Sequence, residues 1–176
     1  VYYGEVDEHF NKKEETKKFL KCDTVILSVG LIPEMQNLTD IKVNTKTNGA
    51  FVNEHYQTNK PWMFSCGNIL HVHDLVDNVA LEGKQVGLFA SLYAQNKLND
   101  GNLIEVKHSS DFAYVLPYTL FEGDEDVEMK FRLKNKIVRK WIKVVSEGKE
   151  VAKKFVLAGV PGEMMTISFS KKGVKK

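Results

Sequence analysis

Cysteine is scarce: Cys22 and Cys66 are the only two in 176 residues, and no CxxC or CxxxxC pair occurs. Each lies beside a strand-like run, so both read as reduced core thiols of a cytoplasmic protein, with no redox disulfide between them. Twelve glycines are present and none forms GxG, so the GxGxxG turn that seats a dinucleotide pyrophosphate is missing. No apolar run approaches the ~20 residues of a membrane-spanning helix, and no signal-peptide pattern opens the chain. A net charge of +2 argues for neither a nucleic-acid partner nor an acidic tail.

What is present describes an ordinary globular chain, 43% hydrophobic and 27% charged, long enough for one mid-sized domain or two small ones. Val1-Tyr2-Tyr3 starts as if inside a strand, which leads us to expect a piece of something longer. Residues 1–22 read as strand, solvated Lys/Glu connection and second strand, an antiparallel hairpin. Thr24 to Val29 is a continuous apolar run, expected as a strand buried on both faces, ended by Gly30 and Pro33. Glu34 to Asp40 reads as a helical turn. Asn48-Gly49 between Ile41–Val43 and Ala50–Val52 signals a hairpin.

Residues 57–87 hold the centre of the pattern. Trp62 to Cys66 predicts a short buried strand, Gly67-Asn68 a turn, His71 and His73 a loop, and Asp74 the N-cap of a helix reaching about Asn96. Val76, Val79, Ala80, Gly83, Gly87, Ala90 and Ala94 recur at helical spacing, a small-residue stripe suited to lying close on a sheet. A stop at Asn99-Asp100-Gly101 follows. Beyond it the helical period gives way to alternation. Phe112–Leu116, Val127–Leu133, Ile137–Val145, Val151–Leu157 and Met164–Phe169 read as strands, one face buried and the other wet, with glycine or proline turns between. The predicted organisation is therefore an α/β part over 1–104 and a small antiparallel β-sandwich over 105–176, ending in a frayed tail at Lys171–Lys176.

Two segments carry a family resemblance. Thr58-Asn59-Lys60-Pro61-Trp62-Met63-Phe64-Ser65-Cys66-Gly67-Asn68 looks like the last FAD-contacting segment of flavoprotein reductases built from two dinucleotide domains. Cys22 to Pro33 resembles the segment that returns from their NAD(P)H domain to the FAD domain. The phrase CGN-x-LHVHDLVD is similar to a bacterial branch of FAD-dependent pyridine nucleotide-disulphide oxidoreductases. The resemblance implies a remnant of Rossmann-like FAD/NAD(P)-binding domains before the β-domain. It also implies FAD and NAD(P)H as cofactors of the full-length protein, and an electron acceptor that the sequence does not identify.

By that resemblance, Gly30, Pro33, Gly67, Asn68, Leu75 and Val76 are the cofactor-binding candidates. Asn68 stands where relatives usually carry Asp, bonded to a ribityl hydroxyl; Gly67 allows close backbone approach; the amides around Leu75 and Val76 face the flavin pyrimidine edge. No catalytic residue is assigned. His71-Val72-His73-Asp74 resembles the start of an HxHxDH metal motif, but Leu75 and Val76 break it and His9, His55 and His108 are scattered, so no metal is predicted. The reading is the C-terminal portion of an NAD(P)H-linked flavoenzyme, inert as an isolated chain and prone to self-association or to a partner subunit. Its rival is a non-catalytic module whose β-domain docks another protein.

Overall fold

The computed structural model describes residues 1–27, 30–98, 101–172 and 174. It divides into two compact units, Val1–Gly30 and Leu31–Lys176. In the first, β1 (Tyr2–Tyr3) pairs antiparallel with β2 (Lys18–Phe19), as the hairpin reading expects. Tyr2 packs its ring on Phe19 at 5.1 Å, and Asp7 closes the connection by accepting from the amides of His9 and Asn11. The apolar run that follows departs from expectation. Val25, Ile26 and Leu27 are exposed and belong to no strand, since among the described residues no neighbouring strand supplies ladder hydrogen bonds; Ser28 and Val29 lie outside the described residues.

The second unit is dominated by small antiparallel sheets with one helix, α1 (Val76–Ala94). β3 (Leu103–Glu105) pairs with β5 (Thr119–Phe121). β4 (Phe112–Leu116), β6 (Asp126–Leu133) and β9 (Met165–Ser170) form a sheet in the order β4-β6-β9, and β7 (Ile137–Ser146) pairs with β8 (Lys149–Gly159) as a long hairpin. Four of the five predicted strands lie within one residue of these bounds, because clean period-2 alternation is a local signal. The fifth, Val151–Leu157, sits inside the longer β8. Among the described residues no parallel sheet forms, so the α/β part is visible only as a helix and loops.

Two cores explain the layering. Val127, Met129, Phe131 and Leu133 of β6 pack with Ile167 and Phe169 of β9 beneath Ile142 and Val156 of the β7–β8 hairpin. The opposite face of the sheet meets water only at one end, where Asp126, Glu128, Ser168 and Ser170 are exposed. Tyr114 and Leu116 join Tyr118, Ile41, Ala50, Val52 and Leu70 in a second core, and their strand partners across β6 are Arg132 and Lys130. The face of β6 expected to be wet is so at Asp126 and Glu128, while at Lys130 and Arg132 it borders a second interior. Packing crosses residue 104, because β4 and β6 supply one wall of a core whose other wall is residues 41–70.

That wall is made of turns more than of strands. Val43 and Ala50 bridge around Asn48, whose φ of 56° is the left-handed conformation that asparagine tolerates. Residues 34–40 form turns rather than a helix. Trp62–Cys66 forms no strand: Gln57 bridges only Phe64, and Trp62 is 65% exposed. Gly49 lies against the backbone of Leu70, where a Cβ would come 1.7 Å from the carbonyl oxygen. Backbone cannot swing aside as a side chain does. Gly49→Ala is therefore expected to cost about 1–3 kcal/mol, read as a lower urea midpoint.

The helix begins one residue later than predicted. Leu75 is its N-cap and makes no side-chain capping bond, because Asp74 is engaged elsewhere. Its buried face also differs. Glu82 and Val86 are buried while Val76, Ala80, Gly83, Gly87 and Ala94 of the small-residue stripe face outward. The expected stop at Asn99-Asp100 lies outside the described residues. Cys22 is exposed and Cys66 half-buried, both free, so neither is a core thiol. The basic tail is not frayed at its start: Lys171 is 1% exposed and holds Glu54 at 2.6 Å and the Phe121 carbonyl at 3.1 Å.

Candidate functional site

Within the second unit, the Gly67–Val76 segment is shaped by a carboxylate that the sequence reading did not single out. Glu82 is on the first half of α1, fully buried, and accepts four hydrogen bonds. Oε1 takes the Gly67 amide at 2.7 Å and His73 Nε2 at 3.1 Å; Oε2 takes His71 Nε2 at 3.2 Å and Lys130 Nζ at 2.6 Å. Lys130 also donates to Tyr56 Oη at 3.0 Å, which passes its own proton to Gln85 at 3.2 Å. Burial pushes the Glu82 carboxyl up, but the His71 bond and the Lys130 charge outweigh it and hold it at about 2. Lys130 is held above its ordinary value, because Tyr56 and Glu82 outweigh the desolvation that would lower it. The pair is a buried salt bridge with every charge satisfied.

The donors along the chain dictate the tautomer of His71. Arg132 can only donate, and its Nε gives a proton to Tyr114 Oη at 3.1 Å. Tyr114 then donates to His71 Nδ1 at 3.2 Å, leaving the His71 proton on Nε2, aimed at Glu82. Burial lowers the His71 pKa, so this imidazole is neutral. Arg132 further donates to the Val72 carbonyl at 3.0 Å and to Asp74 Oδ1, while Asp74 Oδ2 accepts the Met164 amide at 2.9 Å. Burial would raise the Asp74 pKa; the Arg132 and Met164 bonds bring it below the usual range. Two cations of β6 thus clamp the loop between the Gly67 turn and α1.

His71, His73 and Glu82 place their ligand-capable atoms within 4.8 Å of one another, a set of two imidazoles and a carboxylate that fits a divalent metal by type. Two features tie the cluster to Lys130 instead. The ammonium already supplies the cation at Oε2. A metal on both Nε2 atoms would also force the His73 proton onto Nδ1, which is buried and has no partner, whereas metal-bound imidazoles donate that proton to a neighbour.

The structure brings four of the six cofactor candidates together. Gly67 is buried with φ +67°, a conformation that favours glycine, and its amide is tied to Glu82. Asn68 is exposed; its Oδ1 accepts the His73 amide at 3.1 Å, which leaves Nδ2 as the donor of that side chain. Leu75 and Val76 are exposed at the start of α1, where the first-turn amides have no capping side chain. Pro33 is buried in the same unit. Gly30 is exposed at the end of the first unit, with open space where a Cβ would stand. For a flavin, the fit is a bare helix start beside a close-approach glycine and a free amide donor. Missed altogether were Glu82, Lys130, Tyr56, Tyr114 and Arg132. Charged residues at even positions of β6, opposite an alternating apolar set, read as solvent-facing by rule. Only a count of cations against the buried carboxylate of α1 could have flagged them.

No curated protein and no solved structure matches the chain. Residues 4–83 match the family model of pyridine nucleotide-disulphide oxidoreductases, and that similarity, which spans both segments singled out by sequence, supports an oxidoreductase of this family.

Proposed function

We propose that this chain supplies one wall of the flavin site in an FAD-dependent, NAD(P)H-linked oxidoreductase. The observation that carries the proposal is the Gly67-Asn68 turn, held rigid by Glu82 beside the uncapped start of α1, inside the stretch that matches the family. The Gly67 backbone would lie along the cofactor, Asn68 Nδ2 would donate to a ribityl oxygen, and the amides near Leu75 and Val76 would face an electron-rich ring edge. When bound, FAD supplies the ring that accepts a hydride and passes electrons on. Lys130 and Arg132 hold the loop in place. Pro33 would border the site from the returning segment. The GxGxxG turn that grips the pyrophosphate would come from sequence outside these 176 residues. The protein would work in the cytoplasm, with an electron acceptor of unassigned chemistry, and 105–176 would serve as an accessory β-domain.

Two measurements test the reading. The chain alone is expected to be colourless and inert, and to self-associate through its exposed Ile26, Leu27 and Val76. Stoichiometric micromolar FAD binding by the purified chain, or a clean monomer in sedimentation, would contradict these expectations. In an intact flavoprotein containing this sequence, Asn68→Leu should weaken FAD retention by ~1–3 kcal/mol. Asn68→Asp keeps the acceptor for the His73 amide and should be milder. Full flavin occupancy in Asn68→Leu would remove the assigned contact.

A further inference from the structure

The β7–β8 hairpin has two unlike faces. One packs Ile142 and Val156 into the core against β6 and β9. The other carries Trp141 and Phe155 as a cross-strand pair, 54% and 48% exposed, with Leu157 beyond them at 65%. Lys143 and Lys153 form the adjacent pair on that same face, two residues along each strand. Over residues 137–159 six lysines and arginines face two glutamates. Glu150 answers only Lys143 and Lys153, at 2.7 and 3.3 Å.

An apolar stripe this exposed needs an explanation, and its charge narrows the occupant. A second copy of the same face would bring its excess positive charge against itself. A specific protein partner would bury ~800 Å² on each side, whereas two strands of about ten residues offer a face roughly 30 Å by 10 Å. Single-stranded nucleic acid would need open aromatic planes for stacking. Trp141 and Phe155 are tilted at 56° to each other, and Lys153 Nζ stands 5.3 Å from the centre of the indole ring, covering that plane. Aromatic and aliphatic side chains flanked by lysines are instead the composition of interfacial membrane contacts. There rings sit at headgroup depth and ammonium groups meet anionic lipid.

We propose that the outer face of the β7–β8 hairpin docks the protein peripherally on an anionic lipid surface, with Trp141, Phe155 and Leu157 entering the headgroup layer and Lys143 and Lys153 meeting lipid phosphates. The assignment is independent of the flavin reading, since it uses none of the residues around Gly67. The test is co-sedimentation of the full chain with phosphatidylcholine vesicles, with and without phosphatidylserine. It is joined by fluorescence of a Trp62→Phe variant, which leaves Trp141 as the only indole. Binding to phosphatidylserine vesicles with a blue shift of Trp141 is expected, together with loss of binding in high salt and on neutral vesicles. Trp141→Ser with Phe155→Ser, and separately Lys143→Glu with Lys153→Glu, should each weaken binding at least tenfold. Both pairs lie on the solvent face, and circular dichroism checks that the sheet is retained. Absence of binding to phosphatidylserine vesicles at low salt would overturn the proposal, as would binding unaffected by either pair. Polyglutamate or single-stranded RNA bound as tightly as the vesicles, with Trp141 unshifted, would reassign the face to a polyanion.

Discussion

Glu82→Leu is expected to destabilise the protein by about 3–5 kcal/mol, the cost of leaving a buried charge without its partner. The substitution strands the Lys130 ammonium, two imidazole N–H groups and the Gly67 amide in a space closed to water. Against a total stability of ~5–15 kcal/mol, such a loss leaves a large unfolded fraction. Lys130→Met is milder, because three donors still hold the carboxylate. The diagnostic result is the double variant. With both charges gone, an apolar pair fills the space without an uncompensated ion, so Glu82→Leu with Lys130→Met should recover much of the loss. Urea midpoints for the four proteins of this cycle decide it. Strictly additive effects would mean that the two side chains do not act as a pair.

Acid should unfold the chain in stages, beginning well above the carboxylate range. His55 is buried between Phe121 and Phe89, with ring centres at 5.0 and 4.8 Å, and its Nδ1 has no partner. Glu54 lies 3.7 Å from its Nε2, but Lys171 claims that carboxylate at 2.6 Å. Burial therefore wins, the Lys171 charge adds to it, and His55 falls from 6.5 to about 4. Below pH 6.5 the unfolded chain binds a proton that the folded chain refuses, so stability falls with pH until about 4. That interval corresponds to roughly 3 kcal/mol at 1.36 kcal/mol per pKa unit. His71, lowered by burial, has the same sign. Glu82, depressed from 4.5 to about 2, contributes stability that is present above pH 4.5 and lost as the pH falls toward 2. Glu54, raised by burial, works in the opposite direction. The expected profile is a plateau near neutrality, a decline starting near pH 6.5 and a second decline below 4.5. His55→Leu should flatten the first decline. A midpoint unchanged from pH 7 to 4.5 would sink the argument.

Much of the architecture follows from patterns readable within one segment. Alternation located β4, β6, β7, β8 and β9 because each side chain's face depends on its immediate neighbours. The Gly67-Asn68 turn and the histidine loop were visible because glycine and asparagine report local backbone demands. The errors came where a segment's partner lies far away in sequence. Trp62–Cys66 and Thr24–Leu27 are apolar enough for buried strands, yet a strand also needs a neighbour to complete its ladder, and composition does not supply one.

The site shows the same division more sharply. Sequence alone determined which residue types crowd the 67–82 stretch and that its turn admits close approach. Tertiary structure alone decided that Glu82 is buried, that Lys130 and Arg132 on the supposedly wet face of β6 reach it, and that Asp74 serves Arg132 rather than the helix start. Lys130 is 48 residues from Glu82, and Arg132 is 58 from Asp74. The physical reason is that a charged side chain carries no local mark of its fate. A lysine on an alternating strand is solvated unless a distant carboxylate offsets its desolvation, and only the folded chain brings the two together.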